Sequence, residues 1–175
     1  MRYDRDDDMM ITGKRHDLRI KYRAGIDATG RVLGLEFTHL FRCGWSQDLS
    51  LPVADRAMLG ADNCYFLPDI RVESHRLKTN TQSATAYRGF GGPQGVIGIE
   101  RVLDHIAFDL RLDPLAVRRL NFYNAMAEGA DASGGDTSAK MNLQTTPYHM
   151  PVEDFIGQEL VTALEDSSGY TARRA

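Results

Sequence analysis

Cysteine is scarce in this 175-residue chain, with only Cys43 and Cys64 present and no C-x-x-C spacing between them. Two such thiols exclude a disulfide framework and a cysteine-held iron–sulfur cluster on this stretch, and they suit a reducing, cytoplasmic setting. Charge of one sign is also lacking. With 21 Lys+Arg against 24 Asp+Glu, the formal net charge is -3, which argues against a nucleic-acid binder. No run approaches the ~18 apolar residues of a membrane span, and Arg2, Asp4, Arg5 and three aspartates after Met1 leave no room for a signal-peptide apolar region. The histidines His16, His39, His75, His105 and His149 form no H-x-x-x-H or H-E-x-x-H pair, and G-x-S-x-G is missing, which argues against a zinc hydrolase and a nucleophile elbow. What remains is 42% hydrophobic and 26% charged, the composition of a soluble globule of one ordinary or two small domains.

The periodicity predicts an α+β fold with a mixed or antiparallel sheet covered by helices. From Asp17 the pattern alternates, Leu18, Ile20, Tyr22 and Ala24 against Arg19, Lys21 and Arg23, as in a strand with one wet face. The turn residues Asp27-Ala28-Thr29-Gly30 lead to a second strand with Leu33, Leu35, Phe37 and Phe41 on one face, giving a hairpin over 17–42. A helix is expected over 50–62 and a strand over 69–77. A long amphipathic helix over 93–110 carries Val96, Ile99, Leu103, Ile106 and Leu110, with Pro93 in its first turn. Asp113-Pro114 caps a short helix to Asn121, and a last helix is expected over 152–165. Asp6, Asp7 and Asp8 read as a solvated acidic turn rather than a cation site, which needs oxygens converging from several directions. Small and turn-forming residues fill 124–141, predicting a mobile linker. The chain therefore divides into a core over 1–123, a linker over 124–145 and a helical segment over 146–175.

The most informative stretch is Arg88-Gly89-Phe90-Gly91-Gly92-Pro93-Gln94 at the start of the long helix. Glycines admit close backbone approach, and a helix N-terminus favours an anion or ligand oxygen. Neither G-x-x-x-x-G-K-[ST] nor G-x-G-x-x-G is complete here, so a ligand loop and an ordinary turn before a helix both fit. Phe90 is either tucked into the core, as a generic phenylalanine is, or presented as a flat platform. Arg56, among Ala54, Ala57, Met58 and Leu59, is either a surface arginine on an apolar stem or a guanidinium aimed into a cleft.

Several segments taken together resemble one family. They are Arg2-Tyr3-Asp4-Arg5-Asp6-Asp7-Asp8-Met9, Asp55-Arg56-Ala57-Met58, Ala61-Asp62-Asn63, Lys78-Thr79-Asn80, Thr85 to Gln94, Asp113-Pro114 to Tyr123, and Thr146-Pro147-Tyr148. In that order they look like the molybdenum-binding large subunits of the xanthine dehydrogenase/aldehyde oxidase family of molybdenum hydroxylases. The resemblance implies a piece of a molybdenum-cofactor-binding domain within a much longer subunit. It implies oxidative hydroxylation of purines, hypoxanthine to xanthine to urate, at an electron-poor carbon beside a ring nitrogen. By the same resemblance Arg56 faces the substrate's carbonyl oxygen and Phe90 stacks on the purine. Arg88 and Gly89 border the molybdopterin, with Arg88 beside the molybdenum without ligating it. Electrons leave through iron–sulfur clusters and FAD on other segments or subunits to NAD. The glutamate base, a second substrate-facing glutamate and a partner phenylalanine of the family lie outside this stretch. Partners are thus the purine, the rest of the large subunit and the iron–sulfur/flavin subunit, with no nucleic acid and no membrane. The isolated chain is expected to hold no cofactor and to be inactive. The alternatives are a non-catalytic folded module and a fragment of a related aldehyde oxidase, the latter disfavoured because a plain aldehyde offers Arg56 no second oxygen.

Overall fold

A computed structural model describes residues 2–123 and 144–174. The expected hairpin forms from β1 (Leu18–Ile26) and β2 (Val32–Gly44), paired antiparallel. β3 (Ile70–Lys78) joins the other edge of β2 in parallel, so the sheet is mixed with order β1-β2-β3. The parallel pairing follows from the connection. Parallel neighbours need a crossover, and α2 (Ser50–Leu59) supplies it between β2 and β3.

One face of β2 carries the core, with Leu35, Phe37, His39, Phe41 and Cys43 all buried. Leu33 departs from the expected pattern and is 53% exposed. Gly25 pairs with Gly34 and Ile26 with Val32, so Leu33 is an extra residue in the ladder. The bulge hands the inward position to Val32, which is buried.

α3 (Gly92–Leu110) covers that face with Ile99, Val102, Leu103 and Ile106. Each such side chain contributes about 1.5–3 kcal/mol on burial. α4 (Pro114–Asn121) starts as predicted, with an Asp113 Oδ2 accepting from the amides of Leu115 and Ala116. A smaller core of Phe41, Cys43, Val53, Ala54 and Ala57 lies under α2.

Two further expectations change. The acidic stretch near the N-terminus is a helix, α1 (Arg5–Ile11), rather than a turn. The Asp4 carboxylate caps it by accepting from the Asp7 amide at 2.9 Å, and Asp6, Asp7 and Asp8 occupy its first turn, where the helix dipole favours negative charge. The last helix starts later than expected, as α5 (Gly157–Ser168), followed by α6 (Tyr170–Arg174). The chain before it doubles back through a turn at 147–148, with the Val152 amide donating to Gln144 O at 2.9 Å and the Thr146 amide to Met150 O, and Thr145 bridging antiparallel to Pro151. Phe155 packs on Phe122 and Tyr123 instead of opening a helix. α5 turns Val161 to the core and leaves Leu160 and Leu164 54% and 64% exposed. The linker expected over 124–145 lies outside the described residues, apart from positions 144 and 145.

Candidate functional site

The loop before α3 is built from two consecutive turns. In the first, the Phe90 amide donates to Tyr87 O at 2.8 Å, and Gly89 has φ 91, as the third residue of a type II turn requires. In the second, the Gly92 amide donates to Gly89 O at 2.9 Å, with Phe90 at φ 50 and Gly91 at φ 97. Two positive φ values mark the mirror-image turn I′. A phenylalanine there costs about 1–2 kcal/mol of backbone strain. Phe90 is 38% exposed and lies outside the apolar core, so the core reading of Phe90 fails.

The glycines do a different job from the one their motif suggests. A Cβ on Gly91 would stand 2.0 Å from Val53 O, and one on Gly95 2.3 Å from Ala57 O. Close approach is therefore to α2, and the glycines let the two helices cross with their backbones nearly touching. Of Gly89, Gly91, Gly92 and Gly95, only Gly92 has open space around its Cβ position. This crossing brings the α3 N-terminus against the turn of α2 that carries Arg56.

Between α2, the start of α3 and the 144–156 segment lies a cleft of about 360 Å³. Arg56 and Gly92 line it, with Asp62, Cys64, Tyr123 and Phe155. Arg88, Gly89 and Phe90 are exposed on the adjoining loop and stand outside this lining. Arg56 is itself exposed, and neither it nor Arg88 has an ion pair among the described residues. No side chain caps α3, whose N-cap is Gly91. The site therefore offers two unneutralised guanidinium groups and the positive end of a 19-residue helix.

Asp62 and Tyr123 were not predicted as site residues. The Tyr123 hydroxyl donates to Asp62 Oδ2 at 2.6 Å across 61 positions of sequence, a separation that no local motif encodes. Burial lifts the Asp62 carboxyl above its ordinary pKa, and the Tyr123 bond offsets part of that. Burial pushes the Cys64 thiol up to about 11, so it stays protonated and is no nucleophile. Among the described residues no cluster of three or more His, Cys, Asp or Glu is placed to hold a metal ion, and no helix is long and apolar enough to cross a membrane.

The chain is 38% identical over 172 residues to a xanthine dehydrogenase of Drosophila subobscura, covering 98% of this chain and 12% of that protein. It is 45% identical over 120 residues to a xanthine dehydrogenase of Calliphora vicina, covering 69% of this chain and 9% of that protein. The chain thus spans only a small part of the curated relatives it matches. Among solved structures, the aldehyde oxidoreductase from Desulfovibrio desulfuricans shares the fold at a TM-score of 0.79 and 24% identity, over 99% of this chain and 17% of that one. Quinoline 2-oxidoreductase from Pseudomonas putida does so at 0.76 and 22%, over 98% of this chain and 20% of that one. Residues 1–122 match the family described as the molybdopterin cofactor-binding domain, and the chain belongs to that family.

Proposed function

We propose that this chain forms one wall of the substrate pocket and part of the cofactor site in a molybdenum hydroxylase that oxidises hypoxanthine to xanthine and xanthine to urate. The observation that carries this reading is Phe90, kept 38% exposed on a left-handed backbone. A ring held outside the core at a cost in strain is a platform for a planar ligand. The xanthine dehydrogenases among its relatives support a purine as that ligand.

In this reading Phe90 stacks on the heterocycle, orients it and excludes water. Arg56 receives the carbonyl oxygen on which negative charge grows as the ring carbon is attacked. Its guanidinium binds that charge more strongly in the transition state than in the ground state, which is what accelerates the step. Molybdopterin is anionic, and what the site presents suits it: the positive end of the α3 dipole, open space at Gly92, and the Arg88 guanidinium, which has no ion pair among the described residues. Arg88 and the Gly89 backbone would hold its edge, Arg88 by charge and without ligating the metal. When bound, the group supplies oxygen transfer and two-electron uptake, while this chain's residues bind, orient and shield. The partners in this reading are the rest of the polypeptide and the segments or subunit carrying iron–sulfur clusters and FAD. The two free thiols suit a cytoplasmic setting.

Arg56→Met in the full-length protein tests the assignment. Methionine keeps much of the stem's bulk and removes the charge. Turnover of xanthine should fall about a hundred- to a thousandfold in kcat, with a much smaller loss for a heterocycle lacking the matching carbonyl. Equal losses for both substrates, or none, would remove Arg56 from the site.

A further inference from the structure

The loop that carries Arg88 and Phe90 has three successive residues at positive φ, Gly89, Phe90 and Gly91. Its two internal hydrogen bonds close the turns but do not orient them on the protein. A segment 73 positions earlier in sequence does so. Ahead of the loop, the Thr85 amide donates to Lys14 O at 2.9 Å. Behind it, Gln94 Nε2 donates to His16 O at 3.1 Å. Between these two contacts, a terminal guanidinium nitrogen of Arg15 donates to Arg88 O at 2.8 Å, and the guanidinium lies 4.6 Å from the centre of the Tyr87 ring. Residues 14–16 thus grip the loop at both flanks and at its middle.

The geometry points to Arg15 as the positioning residue of this loop, holding the Arg88 carbonyl and the Tyr87 ring so that the Arg88 side chain and the Phe90 ring leave the backbone in fixed directions. Its planar fork can stack on an aromatic face while donating in its own plane. Lysine, a compact point charge, cannot do both. A carbonyl held at one face fixes the plane of the Arg88–Gly89 peptide, and the directions of both neighbouring residues follow from it. The second terminal nitrogen of Arg15 is buried without a partner among the described residues, so the guanidinium's position is set by these two loop contacts. The consequence for catalysis rests on the site assignment of Arg88 and Phe90; the contacts themselves do not.

The test uses the full-length protein with Arg15→Met, Arg15→Lys and Tyr87→Leu. Tyr87 is exposed, so its replacement keeps the fold and serves if Arg15→Met fails to fold. Hydrogen exchange of peptides covering 87–92 should speed up about ten- to a hundredfold in Arg15→Met, the loss expected for one charge-assisted bond. Peptides covering 99–107 in α3 should be unchanged, Arg15→Lys should fall between wild type and Arg15→Met, and Tyr87→Leu should show a smaller rise in the same loop peptides. In an active protein, kcat for xanthine should fall about tenfold or more in Arg15→Met while KM stays within about twofold, because orientation and not binding is lost. Unchanged loop exchange in both Arg15→Met and Tyr87→Leu, or an equal rise across 99–107, overturns the inference. A wild-type protein without molybdenum and without purine turnover removes the functional reading, and the exchange result then decides the loop contact alone.

Discussion

At the residue scale the least expected side chain is His39. It lies on the central strand, fully buried between the rings of Phe37 and Phe41, with both ring nitrogens unpartnered among the described residues. Burial lowers its pKa to about 4 from an ordinary 6.5. The folded state therefore refuses a proton that the unfolded state accepts between these values. Stability must fall as pH drops through that window and level off below it. At pH 4.5 the loss from this group is on the order of 2–3 kcal/mol. His39→Leu should be nearly as stable as wild type at pH 7 and more stable at pH 4.5, with urea unfolding at the two pH values as the measurement. Equal pH dependence in both proteins would place the acid-sensitive group elsewhere. The alternation of β2 marks position 39 as inward; its lack of partners depends on what α2 and α3 bring over it.

At the element scale the crossing of α2 and α3 positions the site. Helix propensity alone makes Gly95→Ala stabilising by about 1 kcal/mol. The structure reverses the sign, because the new methyl would stand 2.3 Å from Ala57 O and force the helices apart. We expect a net loss of about 1–3 kcal/mol in thermal unfolding, accompanied by displacement of Arg56 relative to the loop. A raised melting temperature would show that the crossing is loose. The glycine-rich motif was visible in the sequence, and so was the α3 helix behind it. Its division of labour was not: Gly91 and Gly95 serve the neighbouring helix, Gly89 serves the turn, and Gly92 alone stays open. The same letter answers three different distances that only the packed structure contains.

At the scale of the whole molecule, Asn121 joins parts far apart in sequence. Its Oδ1 accepts from the Val32 amide at 2.8 Å, and its Nδ2 donates to Gly30 O at 3.0 Å and Val117 O at 2.8 Å. The buried amide thus ties the hairpin turn to the end of α4. Asn121→Leu fills a similar volume and strands the Val32 amide and Gly30 carbonyl away from water, at a cost of about 2–4 kcal/mol. Urea unfolding at neutral pH checks this, and a loss under about 0.5 kcal/mol would mean that the turn and α4 are not coupled through this side chain. Farther along, Arg119 pairs with Glu165 at 2.7 Å and the Tyr170 hydroxyl donates to Asp113 at 2.9 Å. These contacts and Phe155 fasten the C-terminal segment over α4, and Phe155 closes one side of the Arg56 cleft.

The sequence by itself determined what depends on near neighbours. Alternation set the hairpin, helical spacing set α3, and Asp113-Pro114 set the start of α4, because period and capping are local physics. The ordered motifs around Arg56 and Arg88–Gln94 also placed the chain in its family. Tertiary structure decided what depends on residues distant in sequence: the parallel pairing of β3, the bulge that turns Leu33 outward, and the late start of α5. It also decided the company of Arg56, since Asp62, Tyr123 and Phe155 reach the cleft from separate elements. Hydrogen bonds such as Tyr123 to Asp62 or Arg15 to Arg88 form only after the chain has closed loops of 61 and 73 residues, and no local pattern records which distant partner a side chain will meet.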